Sequence, residues 1–491
     1  KHLNLGDKIE SKRIIHINEI DAVGEGAMNL SGINNKNPTI IVSAGSGTAC
    51  ILAKDGKFVH CSGTGVGGGT ILGLSKLLLN TTDPIEIAQL AKAGNESAVD
   101  LILEDVVSGP IGELPSDTTA VNFGKISKID SNISKQDINL VGKIIKSGWL
   151  THGKYTSLFE HEIKKFTKAK FAVSVSSCTA GLHISCLASD FKKGDEVIVP
   201  AQTHTATAHA IEYTGATPIF ADVEYPSGNM SLDKIKDKIT KKTKGVILVH
   251  MAGYPCEMDK IVRFCKKRKI KVLEDCAHAL GTYFKGIHAG NFGLSGSFSF
   301  YPTKQITTGE GGVVITNNEK FYKKIKKFKA FGIDKDIKDR KKQGDYDVKS
   351  IGYNYRMTDF QAALGYRQII NYHKNLKARH LIAKRYIKNF SKTDKIIHMP
   401  YSATSSFFVF QIFCKNRDKI LKKLKKKKIG VSVHYTNPLP KMSYYKKKYK
   451  LDIKDFRNSH KYGKLNISLP VYPKLKKLEI DKICGEIIKL V

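Results

Sequence analysis

The chain predicts an α/β protein, with a mostly parallel sheet covered by helices on both faces and a small α+β domain after it. Two observations carry this. Between residues 171 and 300, short apolar runs alternate with helical stretches, and FAVSVSS, DEVIVP, PIFADV, GVILVHM and IKVLEDC each read as a buried strand. From about residue 375 the pattern becomes a long helix, strands at FFVFQIF and VSVHY, and a final helix.

At 491 residues the chain is long enough for two or three domains with substantial cores. It contains no run of about 18 uncharged apolar residues, so no membrane span is indicated. Residue 1 is a lysine, and the numbering is expected to start inside a longer protein. The nine cysteines, at 50, 61, 178, 186, 256, 265, 276, 414 and 484, lack metal-ligand spacing and read as reduced thiols of a cytoplasmic protein. A formal charge of +36 raises nucleic-acid binding as a reading. The excess is spread over runs such as KKIKKFK and KKLKKKK, without zinc-finger or aromatic RNA-binding patterns, and reads instead as solvated helix faces.

Residues 1–126 differ in pattern from the rest of the chain. IIVSAGSGTACILAKDGKFVHCSGTGVGGG reads as a strand, a Gly/Ser/Thr turn at Ser43 to Thr48, a short hairpin, and a glycine-rich loop at Gly63 to Gly69 that opens a helix near Ile71. Two such turns, each after a strand, offer backbone N–H groups to an anion. Residues 127–137 are polar, without apolar period, and read as a linker.

Helical periodicity begins at Ile138 and breaks at SGWLTHG, where Trp149 reads as a packing residue. FEHEIKKFTKA is an amphipathic helix, and FAVSVSS a strand ending at Ser177. Cys178 and Thr179 open the next helix, whose N-terminus favours an anion above the strand. A helix beginning in THTATAHAI separates DEVIVP from PIFADV, with His204 in position to cap it.

Two residues point to chemistry. Four strand-like residues run into Glu274 and Asp275, which places Asp275 at a strand's C-terminal end, where α/β proteins hold ligands. SGSFSFYPTKQITTGEGG is a strand that enters a lysine-bearing turn and a glycine pair. Most lysines are solvated charges, but Lys304 is surrounded by small, apolar and hydroxylic residues. A poorly solvated lysine deprotonates more easily, and a neutral amine can form a Schiff base with an aldehyde. When that aldehyde is pyridoxal phosphate, a carboxylate keeps the pyridine nitrogen protonated, the role open to Asp275.

From about residue 133 to 491 the chain resembles the DegT/DnrJ/StrS family of sugar aminotransferases. The resemblance rests on SGWLTHG, VSVSSCTAGLH, DEVIVPAQTHTATAHAI, GATPIFADV, EDCAHALG, SFSFYPTKQITTGEGG, IGYNYRMTDFQAALG and LNISLPVYP, in that order. It implies the aspartate-aminotransferase fold (fold type I), a pyridoxal-phosphate-binding large domain over 138–375 and a small C-terminal domain over 376–491. It also implies Lys304 as the catalytic lysine, Asp275 at the pyridinium, Ser299 with the Cys178/Thr179 turn at the phosphate, and His278 at the ring's polar edge. His204 stands where the family places an aromatic ring over the pyridine. Cys178 stands where the family usually has Gly, which keeps the backbone donors and narrows the room around them. Asn354 and Arg356 resemble residues that reach into the neighbouring subunit's site, so a homodimer with shared sites is implied. The implied reaction moves an amino group from an amino acid, L-glutamate by resemblance, to a nucleotide-linked keto sugar for amino-sugar and surface-polysaccharide synthesis. Dehydratase members of the family lack the lysine, and Lys304 argues against that class. No membrane or nucleic-acid partner is implied.

SAGSGTA, SGTGVGGGTILGLSKLLL and LPSDTTAVNFGK resemble type II pantothenate kinases of the actin-like ATPase superfamily. The upstream catalytic and downstream adenosine-binding segments of that family have no counterpart here. The segment is therefore expected to be a partial kinase-like α/β unit that phosphorylates nothing.

Overall fold

The computed structural model describes residues 134–491 apart from 152, 335–341 and 343–344, and before them Ala27 and five strands between residues 8 and 64. The chain divides into two compact units, Lys1–Ser131 and Asn132–Val491. In the first, Lys8–Ile9 pairs with Lys12–Arg13, and Thr39–Ala44, Thr48–Lys54 and Lys57–Thr64 form an antiparallel sheet. The expected strand and hairpin fall on that sheet. The glycine loop beyond Thr64 and the helix near Ile71 lie outside the described residues.

The second unit is built on a seven-stranded sheet in the order Phe171–Val175, Gly312–Thr316, Ser295–Ser299, Lys271–Asp275, Thr243–Val249, Glu196–Pro200, Thr217–Ala221. Gly312–Thr316 alone runs against the rest. The other strands therefore end on one edge, and the loops after them converge there. Both faces are covered, as the uninterrupted apolar strand runs require. On one face Val173, Val197, Ile247 and Leu273 pack with the helices Cys178–Ala188, Thr205–Glu212 and Glu319–Phe328. On the other, Val246, Leu248 and Val272 pack with Met258–Lys267, and Phe298, Val313 and Ile315 pack with Lys154–Thr167.

The helix expected from about residue 375 starts earlier and runs Asp359–Phe390, 32 residues. Its first half (Ala362, Ile369, Tyr372) enters the core beneath the sheet, and its second half (Ile382, Ala383, Tyr386, Phe390) enters a separate core. That second core is covered by the antiparallel strands Ile397–His398, Phe410–Phe413 and Asn466–Leu469 and the helices Arg417–Lys426 and Lys477–Ile488. A cut at 375 thus falls inside one continuous helix.

Three further expectations are corrected. VSVHY forms no strand; it makes a single bridge, Ser432 to Ser468, because Asn466–Leu469 is the segment that pairs with Phe410–Phe413. The stretch expected as linker ends early, since a helix spans Lys135–Lys146. Ser134 starts it by accepting from Asp137 N, while Asp137 accepts from Ser134 N at 2.7 Å, a reciprocal cap that apolar periodicity does not register. Trp149 does not pack within the chain; it is 64% exposed.

Of the two lysine runs KKLKKKK is a solvated face, whereas in KKIKKFK only Lys323 is exposed and Lys329 is held by Ser174 O and Glu160. KKIKKFK lies on a helix that buries Phe321 and Ile325, and KKLKKKK begins on one that buries Ile420 and Leu424. Among the described residues no helix is long and apolar enough to cross a membrane.

Candidate active site

Lys304 lies in the turn after Ser295–Ser299, its N–H donating to Tyr301 O at 2.9 Å. Its ammonium nitrogen sits 4.5 Å from the centre of the Phe408 ring. Burial pushes its pKa down to about 8, against the pull of the Asp275 carboxylate. An amine this easily deprotonated is a usable nucleophile and base near neutral pH.

Asp275 ends the strand Lys271–Asp275 and is buried. One carboxylate oxygen accepts from Ala277 N at 3.1 Å, and the other from Thr207 Oγ1 at 2.8 Å. Thr207 is in turn paired with Thr203 at 2.8 Å, one helical turn back. The Cys178 sulfur lies 3.4 Å from Ser297 O and 4.0 Å from Asp275 Oδ1. Burial, then Asp275, raises that thiol's pKa well above its ordinary value, so Cys178 is a neutral neighbour. It narrows the space beside Asp275 and leaves the helix's backbone donors clear.

Glu274 points to the opposite face of the sheet, as strand alternation demands. Its carboxylate accepts from Gly290 N, Phe292 N and Gly293 N at 2.7 to 2.8 Å and lies 3.0 Å from His250 Nε2. His250 Nδ1 accepts from Cys256 N. Glu274, His250 and Cys276 lie close enough to share a metal. The carboxylate and imidazole are already satisfied by protein groups, so this cluster ties down the 290–293 loop.

Three histidines surround Lys304. His278 stacks on Phe408 at 4.2 Å and 12°, and its Nε2 lies 3.4 Å from Tyr435 OH. Its pKa is held well below the ordinary value by burial first, then by Lys304, His434 and His204. Burial, then Lys304, pushes His434 down to about 4. His204 caps Thr205–Glu212 by accepting from Ala206 N at 3.2 Å, and its ring stands 5.7 Å from Tyr435, tilted 57°. Burial lowers its pKa too, against Asp275. The imidazoles are thus neutral near pH 7.

The other expected residues sit at the strand ends. Ser299 pairs with Gly312, and Gly312 with Val175, so these three lie side by side just before the helix that Cys178 and Thr179 open. A Cβ at Gly312 would come within 2.7 Å of Cys178 N, and only glycine permits that approach. Asn354 and Arg356 alternate with Tyr353 and Tyr355. The two tyrosines stack at 5.0 Å and pack against His183, while Tyr355 O accepts from Ser176 N at 2.8 Å. Arg356 lies 5.0 Å over the Phe331 ring. The structure therefore brings Lys304, Asp275, Cys178, His204 and His278 together. Ser299 and Thr179 stand at the neighbouring strand edge, and Asn354 and Arg356 meet the turn after Glu319–Phe328, by a bridge to Ala330 and a contact with the Phe331 ring.

His434, Tyr435, Phe408, Thr207 and Gln202 escape a reading of local pattern. The His-Tyr pair before the proline-containing turn at Pro438 and the four-residue spacing of Thr203 and Thr207 are the signals that could find them.

This set fits the cofactor that the resemblance implies. Gln202 Oε1 and His278 Nδ1 are buried without partners, Asp275 offers a carboxylate, and the strand-end row offers backbone and hydroxyl donors to a phosphate.

The model of the DegT/DnrJ/EryC1/StrS aminotransferase family matches residues 131–488. A second model, described as Fumble, matches residues 22–175, a range that takes in most of the pantothenate-kinase-like segment. GDP-perosamine synthase of Escherichia coli O157:H7 is 35% identical over 361 residues, 72% of this chain and 96% of that protein. The spore coat polysaccharide biosynthesis protein SpsC of Bacillus subtilis is 36% identical over 363 residues, 72% of this chain and 93% of that protein. A putative sugar aminotransferase of Streptococcus pneumoniae, solved in its PLP form, superposes with a TM-score of 0.68 at 29% identity, covering 74% of this chain and 98% of that one. With a family model spanning most of its length and relatives covered nearly end to end, the chain belongs to the DegT/DnrJ/EryC1/StrS aminotransferase family.

Proposed function

We propose that Lys304 and Asp275 are the working pair of a sugar aminotransferase that moves an amino group from an amino acid, L-glutamate by family resemblance, to a nucleotide-linked keto sugar. The protein is a pyridoxal-phosphate-dependent aminotransferase by its family. The observation that carries the residue assignment is the half-buried amine of Lys304, 4.5 Å from the Phe408 ring centre and lowered to a pKa of about 8 by desolvation, beside the buried carboxylate of Asp275.

Pyridoxal phosphate, when bound, supplies a conjugated ring that accepts the electron pair released at the donor's Cα. Asp275 holds a proton on the ring nitrogen, and Thr207 and Ala277 N keep its oxygens aimed. Lys304 Nζ takes the proton from the donor's Cα and returns one to the acceptor carbon in the reverse half. With the cofactor bound, His204 would cover a face of its ring, His278 would hold its polar edge, and Ser299 with the Cys178/Thr179 amides would hold the phosphate. The neutral histidines and Tyr435 exclude water without competing for charge.

The sites are shared within a homodimer, with Asn354 and Arg356 serving the partner's phosphate. Support comes from the alternation that sends Tyr353 and Tyr355 into their own chain. The apolar side chains left exposed around the same segment add to it, with Ile351 at 82% and Phe331 at 44%. The seven described cysteines, all free and buried, support a reducing, cytoplasmic setting. The names of the perosamine and spore-coat relatives support a role in surface-polysaccharide synthesis.

Adding L-glutamate to the loaded protein should exchange its visible absorbance for that of the aminated cofactor, and a nucleotide-linked keto sugar should restore it. A spectrum unmoved by any amino acid would overturn the assignment.

A further inference from the structure

A cavity of about 630 Å³ begins at His204 and Tyr435, beside the Lys304 cluster, and runs outward along the helix Thr205–Glu212. At 1.5 Å per residue, the way from His204 to Tyr213 is roughly 13 Å. The volume falls within the range of small-molecule sites. An elongated substrate is implied, with its reacting end at His204 and a second group further out.

The far part of the cavity is aromatic. Tyr213 and Tyr444 are 55% and 51% exposed, and they flank His209 at ring distances of 5.9 and 6.0 Å. Tyr444 is held by its hydroxyl: Lys448 Nζ lies 2.8 Å from that oxygen and 2.8 Å from Glu212 Oε1. Tyr449 OH donates to the same carboxylate oxygen. This latch joins the helix Ser443–Tyr449 to Thr205–Glu212, with the Lys448 ammonium 5.1 Å from the centre of the Tyr444 ring, while half of Tyr444 stays exposed. A fixed, half-exposed ring is suited to stacking on a planar partner, because little side-chain freedom is lost on contact. Lys448 of the same helix lines the cavity, and its neighbours Lys446 and Lys447 are exposed, which adds positive charge to this side of the molecule.

We propose that Tyr444 and Tyr213, on either side of His209, form the subsite for the nucleobase of the sugar nucleotide. The inference rests on the nucleotide-linked substrate proposed above and adds where and how the nucleotide is held. Stacking accepts any base, so the platform supplies affinity, and the edges around His209 choose between purine and pyrimidine.

The test is calorimetric titration of the cofactor-loaded full-length protein with UDP, GDP, dTDP and inorganic pyrophosphate. At least one nucleotide should bind. Tyr444→Ala should weaken that nucleotide about 10-fold or more, and Tyr213→Ala should weaken it in the same direction. Tyr444→Phe keeps the ring and loses the hydroxyl, and it should stay within a few-fold of wild type. Pyrophosphate should bind all four proteins alike. Equal nucleotide affinity in wild type, Tyr444→Ala and Tyr213→Ala would overturn the subsite and leave the transamination reading standing. So would a parallel loss of pyrophosphate binding, which would give the two tyrosines a structural role alone. A wild-type protein that reacts with L-glutamate but binds no nucleotide would overturn the nucleotide-linked substrate and the subsite with it.

Discussion

The hydroxyl of Thr207 donates to Asp275 Oδ2 at 2.8 Å, across 68 residues of sequence. The carboxylate that chemistry requires to be oriented is thus aimed by a helix whose own start is capped by His204. Thr207→Val removes that donor with little change in volume. A buried hydrogen bond to a charged group is worth about 1.5 to 3 kcal/mol, so kcat/KM should fall about 10- to 100-fold. Circular dichroism should show an unchanged fold, and Thr207→Ser should recover most of the loss.

Lys304→Ala should abolish transamination and the visible absorbance of the loaded protein while leaving the fold intact, since a turn lysine contributes little packing. A variant that retained both would remove Lys304 from the mechanism.

The depressed pKa of Lys304 has a stability signature. The folded value, about 8, lies below the ordinary 10.5, so the folded state penalises the protonated amine. That penalty is fully present below pH 8 and vanishes as pH rises through 10.5. Cofactor-free Lys304→Met should therefore be more stable than cofactor-free wild type at pH 7, by about 1 to 3 kcal/mol. The gap should narrow at alkaline pH. Denaturant titrations at pH 7 and pH 9.5 read this directly.

Removing residues 1–131 should leave kcat nearly unchanged on the same substrate, because Asn132–Val491 forms a compact unit and contains the Lys304 cluster. A large loss of kcat in a folded, soluble truncated protein would mean that the first unit is recruited into the reaction.

Mixing Lys304→Ala with the double variant Asn354→Asp, Arg356→Ala should partly restore activity. A mixed dimer regains one site with an intact lysine and intact partner residues. No recovery after proven subunit exchange would mean that each site is self-contained.

The parts of the site legible in the sequence are those whose signals are local. Asp275 is read directly from a strand's end and Lys304 from the turn after another, while His204 and Cys178 open helices at recognisable caps. His434, Tyr435 and Phe408 are not legible, because they reach Lys304 only after the chain reverses through the 32-residue helix Asp359–Phe390. Their positions depend on how the second core packs, which period and propensity do not encode. The early helix start at Ser134 is invisible to an apolar period because a reciprocal cap, not an apolar stripe, defines it. Trp149 misleads because burial is the ordinary fate of a lone tryptophan.

Glu274 and Asp275 together act as a lock against sliding. Displacing the strand Lys271–Asp275 by one residue in one direction would set Asp275 at the backbone amides of Gly290, Phe292 and Gly293, and in the other direction would set Glu274 in the place of Asp275 beside Lys304. Aspartate is a methylene too short for three amides that glutamate reaches, and glutamate is a methylene too long for the space that Thr207 and Ala277 define. Each carboxylate therefore rejects the other's place. Two adjacent acidic residues, one on each face, fix to a single residue the alignment on which everything above the strand depends.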